Sequence, residues 1–118
     1  MALVDYQLQG HVAVITLNRP DARNAINPEV AVRLADAWQE VRDDDDIRVA
    51  VLTASGSVDF CCGGDLAQVI PLWTGAKQAE TPVEERLLAD PMIPDRIMLK
   101  SEPLYKPVIA AINGRALG

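Results

Sequence analysis

Leu3 to Leu8 alternates weakly between apolar and polar positions, and His11 to Leu17 runs through Val12, Val14 and Ile15. With Gln9-Gly10 as the turn, the two segments predict a β-hairpin at the start of the chain. Asn18-Arg19-Pro20 ends the second strand, and a polar loop, Asp21 to Asn27, follows. Pro28 suits the first position of a helix capped by Asn27. Val30, Leu34, Ala37, Trp38 and Val41 then recur at helical spacing, which predicts an amphipathic helix ending in four consecutive aspartates, Asp43 to Asp46. Arg48 to Ala54 is a short, nearly continuous β-branched run, the pattern of a strand covered on both faces.

Ser55-Gly56-Ser57 breaks that strand, and Val58 to Leu66 closes in a Gly63-Gly64 pair before a short helix predicted over Leu66 to Leu72. Trp73 to Thr81 has no period. Pro82 to Ala89 and Asp95 to Lys100 read as helical pieces separated by Pro91 and Pro94, which limit helix continuation. After Lys106-Pro107, Val108 to Ile112 is an apolar run of strand length, and Asn113-Gly114 turns the chain. Hairpin, helix, strand, helices, strand is an α/β order, with the later strands expected to be parallel. Gly114 to Gly118 reads as a turn leading into a further element, as in the first part of a longer domain.

The 118 residues are within the size of one small domain, and 49% are apolar, enough for a modest core. A formal net charge of −6 argues against a nucleic-acid partner, which would call for a basic patch to replace phosphate counterions. Any anionic ligand must therefore be held by local groups. Adjacent aspartate side chains diverge, so Asp43 to Asp46 reads as a solvated turn and no metal ligands are assigned. Met1 to Asp5 lacks both the basic and the apolar region of a secretory signal, and no stretch has the length of a membrane span. The adjacent Cys61 and Cys62 fit neither a zinc pair nor an ordinary disulfide. They read as free thiols of a reducing compartment, and the expected location is the cytoplasm.

Cys62-Gly63-Gly64-Asp65-Leu66 places a glycine pair between a strand and a helix. Without a Cβ the backbone can approach a ligand closely, and free amides there favour an anion such as a thioester oxygen gaining charge. An ordinary tight turn explains the same residues. Other candidates carry less. His11 sits at the hairpin turn, Trp38 reads as helix core, and no base can be named for either cysteine. Trp73 and Met98 fit plain packing or the lining of an acyl pocket. Gly114-x-x-x-Gly118 lacks the third glycine of a dinucleotide fingerprint.

Three segments in order distinguish these readings. Asn18 to Asn27 resembles the Asn-Arg-Pro loop ending in Asn-Ala-Leu-Asn of the enoyl-CoA hydratase/isomerase (crotonase) family, with Ile26 for the leucine. Phe60 to Leu66 is similar to that family's Phe-x-x-Gly-x-Asp-Leu loop, and Lys106 to Gly114 resembles the strand leading to its glycine triplet. Together they cover almost the whole chain. The resemblance implies a crotonase-like (ClpP/crotonase) fold, a mixed β-sheet backed by helices, of which residues 1–118 are the amino-terminal portion of a single domain, incomplete at the C-terminus.

It also implies roles. Gly64 falls on the backbone donor of an oxyanion hole. Arg23, Asn24 and Ala25 fall on the loop that meets the adenine and phosphate end of coenzyme A, while Cys62, Asp65, Leu66, Gly114 and Gly118 fall on positions along the substrate path. For Arg23 a phosphate contact and plain solvation both remain open, and Asp65 reads as a structural, ionised residue at a helix start. Gly118 matches the first glycine of the triplet whose middle member is the second donor, so that donor and the family's acid/base glutamates are expected beyond residue 118. The implied ligand is an acyl-CoA, with no separate cofactor, and the implied assembly is a homotrimer or hexamer, although the family's assembly helices are not among these residues. Hydratase, isomerase, dehalogenase, hydrolase and decarboxylase chemistries share the oxyanion hole and differ in later residues. A remnant that binds coenzyme A without catalysis, and a fragment that needs a C-terminal partner, are the alternatives. The related Clp-type peptidases need a Ser/His pair, and His11 is the sole histidine.

Overall fold

The computed structural model describes residues 2–118. Strands β1 (Val4–Gln9) and β2 (Val12–Leu17) form the expected hairpin, with Gln9 paired to Val12 so that Gly10 and His11 make the two-residue turn. The turn lies one residue later than predicted, because the left-handed backbone it requires is supplied by Gly10 at φ +62°. After a 3-10 turn at Pro20–Ala22, helix α1 (Pro28–Asp43) starts where the sequence places it, with the Asn27 carboxamide oxygen accepting from the Val30 N–H at 2.9 Å. Strand β3 (Val49–Ala54) pairs parallel to β2, and β5 (Val108–Ala110) pairs parallel to β3. The result is a mixed four-stranded sheet in the order β1-β2-β3-β5. A second, two-stranded parallel sheet joins β4 (Asp59–Cys61) to β6 (Arg115–Ala116).

Helix α1 lies between two layers. Val30, Leu34, Ala37, Trp38 and Val41 pack with Ala13, Ile15, Leu17, Ala50 and Ala54 of the sheet. A second stripe, Ala31, Val32 and Ala35, packs with Val69, Leu72, Leu87 and Ile93 around helices α2 (Ile70–Thr74), α3 (Pro82–Ala89) and α4 (Ile93–Ile97). The helical pattern was legible as one apolar stripe, and the small alanines of the second stripe left it unread. Burying both stripes takes half of the helix's residues out of water and stabilises its packing against both layers.

Two helix boundaries and the burial of one strand differ from expectation. Helix α2 starts at Ile70 rather than Leu66: the Asp65 carboxylate takes the amides of Ala67 and Gln68 at 2.9 and 2.8 Å and its carbonyl takes that of Val69 at 3.0 Å, but Pro71 has no N–H to give the Ala67 carbonyl, so this first turn does not propagate and the helix begins with Pro71 in its own first turn. Helix α4 begins at Ile93, with Pro94 in its first turn, and ends before Leu99 and Ser101, both of which have positive φ. Strand β3 is covered on one face only: Ala50 and Ala54 are buried, whereas Val49, Val51 and Thr53 on the other face are half-buried. The helices lie on the Ala50 side of the sheet, so the apolar run is less enclosed than its composition suggests.

Candidate functional site

The loop between β2 and α1 is built on Asn24, which is 1% exposed. Its Oδ1 accepts from the Arg19 N–H at 2.8 Å, and its Nδ2 donates to the carbonyls of Ser55 at 3.1 Å and Asp59 at 3.0 Å. All of its amide hydrogen-bonding groups are therefore occupied inside the protein, and they tie this loop to both ends of the Ser55–Asp59 connection. Arg23 and Asn24 are consecutive left-handed residues, φ 57° and 54°, a conformation that needs such an anchor. Arg23 is exposed, with its own N–H capping the 3-10 turn through the Pro20 carbonyl.

A second anchor joins this loop to the glycines. The Arg19 guanidinium donates from Nη1 to the Ala25 carbonyl at 3.1 Å and to Asp65 Oδ2 at 2.8 Å. The Arg19 and Asp65 side chains are only 15% and 12% exposed, so this pair is screened far less than a surface one. Ile26 forms a parallel bridge with Gly64, in which the Ile26 N–H donates to Gly63 O at 2.8 Å and the Asp65 N–H donates to Ile26 O at 2.9 Å. In a parallel bridge the central residue of the partner segment turns its own N–H and C=O the other way. The Gly64 N–H therefore points away from Ile26, and it donates to nothing among the described residues.

Gly63 is a glycine for two reasons. Its φ is +90°, and a Cβ there would stand 2.7 Å from the Gly118 carbonyl carbon. Gly118 thus lies directly against the glycine turn. Gly114 makes a comparable close approach to the backbone of Val58, and through it β6 reaches β4. The Arg115 guanidinium then clasps Asp59, itself 7% exposed, at 2.9 Å from Nε and 3.3 Å from Nη2.

Electrostatics follow from these contacts. Burial alone would raise the Asp65 pKa, but the Arg19 hydrogen bond, the amides of Gln68 and Ala67 and the Arg19 charge outweigh it and hold the carboxyl below its usual range. Asp65 is an ion-pair anchor, and its carboxylate also caps the turn that leads toward α2. Burial pushes the Cys61 thiol up, which the amide of Gly63 only partly offsets. A raised pKa keeps this thiol in its unreactive form.

The structure brings Arg23, Ala25, Cys62, Gly64, Asp65, Leu66 and Gly118 into one region of linked loops. Cys62 Sγ lies 3.9 Å from Ala22 O, and Leu66 is 82% exposed beside the glycines. Gly114 supports the region from one strand away. Asn24 belongs to it as a buried anchor whose side chain faces inward. His11 lies elsewhere, its Nδ1 2.7 Å from Asp46 O, and Trp38 is 1% exposed in the core. Trp73 joins Leu87, Leu88, Pro91 and Pro94 in an apolar groove without Met98. Sequence reasoning missed Arg19 and the Arg115–Asp59 pair. The only available signal was an arginine just before the proline and another just after Asn113-Gly114, neither of which names its carboxylate.

Residues 7–118 match the family model for enoyl-CoA hydratase/isomerase. The chain belongs to the enoyl-CoA hydratase/isomerase family. It is 39% identical over 115 residues to the (E)-benzylidenesuccinyl-CoA hydratase of Thauera aromatica, covering 98% of this chain and 41% of that protein. It is 34% identical over 110 residues to the short-chain-enoyl-CoA hydratase of Clostridium acetobutylicum, covering 93% of this chain and 38% of that one. Among solved structures, carnitinyl-CoA hydratase from Mycobacterium avium superposes with a TM-score of 0.74 at 30% identity, covering 97% of this chain and 40% of that chain. An enoyl-CoA hydratase/isomerase from Mycobacterium paratuberculosis does so with a TM-score of 0.72 at 32% identity, covering 97% and 42%. The fold is the crotonase fold, and the chain spans about two-fifths of the length of these relatives. Among the described residues no helix is long and apolar enough to cross a membrane.

Proposed function

We propose that this crotonase-family segment binds an acyl-CoA thioester and presents the Gly64 backbone N–H to the thioester carbonyl oxygen. The observation that carries the proposal is the Ile26–Gly64 bridge, which holds Gly64 in place through its neighbours and leaves its own N–H without a partner among the described residues. As a proton is removed beside the carbonyl, or hydroxide adds at the β-carbon of an enoyl thioester, negative charge grows on that oxygen, and a fixed donor stabilises the transition state more than the bound substrate. A single donor of this kind is worth roughly 3–4 kcal/mol in enzymes where one has been removed. Arg23, exposed at the loop tip, is assigned to a coenzyme A phosphate, and Ala25, Cys62, Asp65, Leu66, Gly114 and Gly118 to the walls and supports of the thioester path.

Hydration or isomerisation of an enoyl-CoA is proposed for the whole protein, with acid/base groups supplied from outside residues 1–118, as the family resemblance implies. No cofactor is assigned beyond the coenzyme A that the substrate carries. Residence in the cytoplasm and assembly as trimers or paired trimers complete the proposal. A calorimetric titration of this chain with butyryl-CoA, and with free coenzyme A as control, tests it. Saturable binding of butyryl-CoA, tighter than that of coenzyme A, is expected. A folded sample that binds neither would overturn the proposal.

A further inference from the structure

Gly64 has no side chain, and its N–H has no hydrogen bond among the described residues, so nothing in the residue itself orients its amide. Its direction is set by the residues on either side. On one side the Gly63 carbonyl is held by Ile26, and on the other the Asp65 N–H is held by the Ile26 carbonyl. Asp65 is fixed a second time through its carboxylate, one oxygen to Arg19 and the other to the amides of Ala67 and Gln68. The same Arg19 Nη1 holds the carbonyl of Ala25, the residue before Ile26. One guanidinium therefore connects both segments of the bridge, next to the bridging residue in each. Arg19 is itself fixed, because its backbone N–H donates to the buried Asn24 and its carbonyl accepts from the amides of Ala22 and Asn24.

From this geometry we infer that Arg19 is a positioning residue for the Gly64 N–H, acting through Asp65 and Ala25 rather than by touching the substrate. The inference rests on the reading of Gly64 as the carbonyl donor. Lysine carries the same charge but lacks the planar fork, and a single ammonium on a flexible stem holds two acceptors in fixed directions less well. A donor displaced by a few tenths of an ångström or tilted off the carbonyl still permits binding, since most contacts of a coenzyme A ester lie elsewhere. It polarises the carbonyl less.

The test reads polarisation directly. Butyryl-CoA carrying carbon-13 at the thioester carbonyl is added to this chain, and the carbonyl stretch of the bound ester is isolated by infrared difference spectroscopy. The unaltered chain is expected to move the band to lower wavenumber. Arg19→Met should lose most of that displacement and Arg19→Lys part of it, while the affinity for free coenzyme A stays within about threefold, a change of under ~0.7 kcal/mol. Asp65→Asn keeps an oxygen for Ala67 and Gln68 but weakens the link to Arg19, and should fall between wild type and Arg19→Met. It provides the test if Arg19→Met does not fold. A full displacement in folded Arg19 variants that have only lost thermal stability would overturn the inference and leave the pair a structural one. Absence of a band displacement in the unaltered chain would instead overturn the assignment of Gly64 as donor.

Discussion

Asn24→Ala removes the anchor on which the loop between β2 and α1 is built. The carboxamide makes three hydrogen bonds, to Arg19 N, Ser55 O and Asp59 O, at 2.8, 3.1 and 3.0 Å. At a net value of about 1 kcal/mol each, their loss costs about 3 kcal/mol, and the partners left without water raise rather than lower that figure. Alanine also tolerates φ 54° less well than asparagine, which adds about 1 kcal/mol. A loss of about 4 kcal/mol is a large fraction of the roughly 5–15 kcal/mol that holds a domain together. With a urea dependence of about 2 kcal/mol per molar, the unfolding midpoint should fall by about 2 M. Asn24→Gly loses the same hydrogen bonds without the left-handed strain and should be the milder variant by about 1 kcal/mol. Asn24→Asp keeps the acceptor for Arg19 but turns a carboxylate toward the Ser55 and Asp59 carbonyls, and should be no better than alanine. Urea unfolding followed by Trp38 fluorescence measures all three. An Asn24→Ala midpoint within about 0.5 M of wild type, equivalent to about 1 kcal/mol, would refute the reasoning that this amide anchors the site.

Three further outcomes are expected. Gly63→Ala combines a φ of +90° with a Cβ 2.7 Å from the Gly118 backbone, whereas Gly10→Ala has φ +62° and nothing within 4 Å. Thermal unfolding should show Gly63→Ala less stable than Gly10→Ala, with about 1 kcal/mol lost at Gly10 and about 2–3 kcal/mol at Gly63, and equal losses would mean that Gly118 does not press on the turn. The folded-state pKa of Asp65 lies below its unfolded value, so the unfolded chain binds that proton first as pH falls. Its contribution is fully present above about pH 5, and is lost as pH drops through about 3.9 and on to the lower folded value. Asp90, whose pKa is lowered chiefly by its Arg96 hydrogen bond, acts with the same sign. Asp65→Asn should therefore flatten, without abolishing, the fall in urea-measured stability below about pH 5, and an unchanged slope would remove the Arg19 pair as its cause. Finally, alkylation of Cys61 by iodoacetamide in a Cys62→Ala background should be slower than that of a free cysteine, with its half-rate point displaced to higher pH, as burial requires. A rate equal to that of an unfolded peptide would contradict that burial.

The local elements were legible because each depends on a short stretch of chain. The Asn27-Pro28 start of α1, the stripe Val30-Leu34-Trp38-Val41 and the hairpin around Gly10 are set by capping, spacing and turn chemistry within a few residues. The family was legible as well, because three short motifs kept their order and spacing. Where local reading failed, a missing donor or a distant contact decided. Pro71, with no N–H for the Ala67 carbonyl, stopped the turn that Asp65 starts from continuing as a helix, and the alanines of α1 became a second buried stripe only when α3 and α4 were laid against them.

The site divides along the same line. By itself the sequence determined that glycines would stand at 63 and 64, with an acidic residue after them and an arginine-containing loop upstream. The tertiary structure alone decided that Arg19, 46 residues away from Asp65 along the chain, would be the cation that meets it. It also decided that Asn24 would turn inward while Arg23 stayed exposed, and that Gly118 would come to rest against Gly63. The physical reason is range. Propensity, capping and turn preferences act over a few residues, whereas an ion pair or the close approach of two backbones is specified only when the sheet and α1 have brought their loops together.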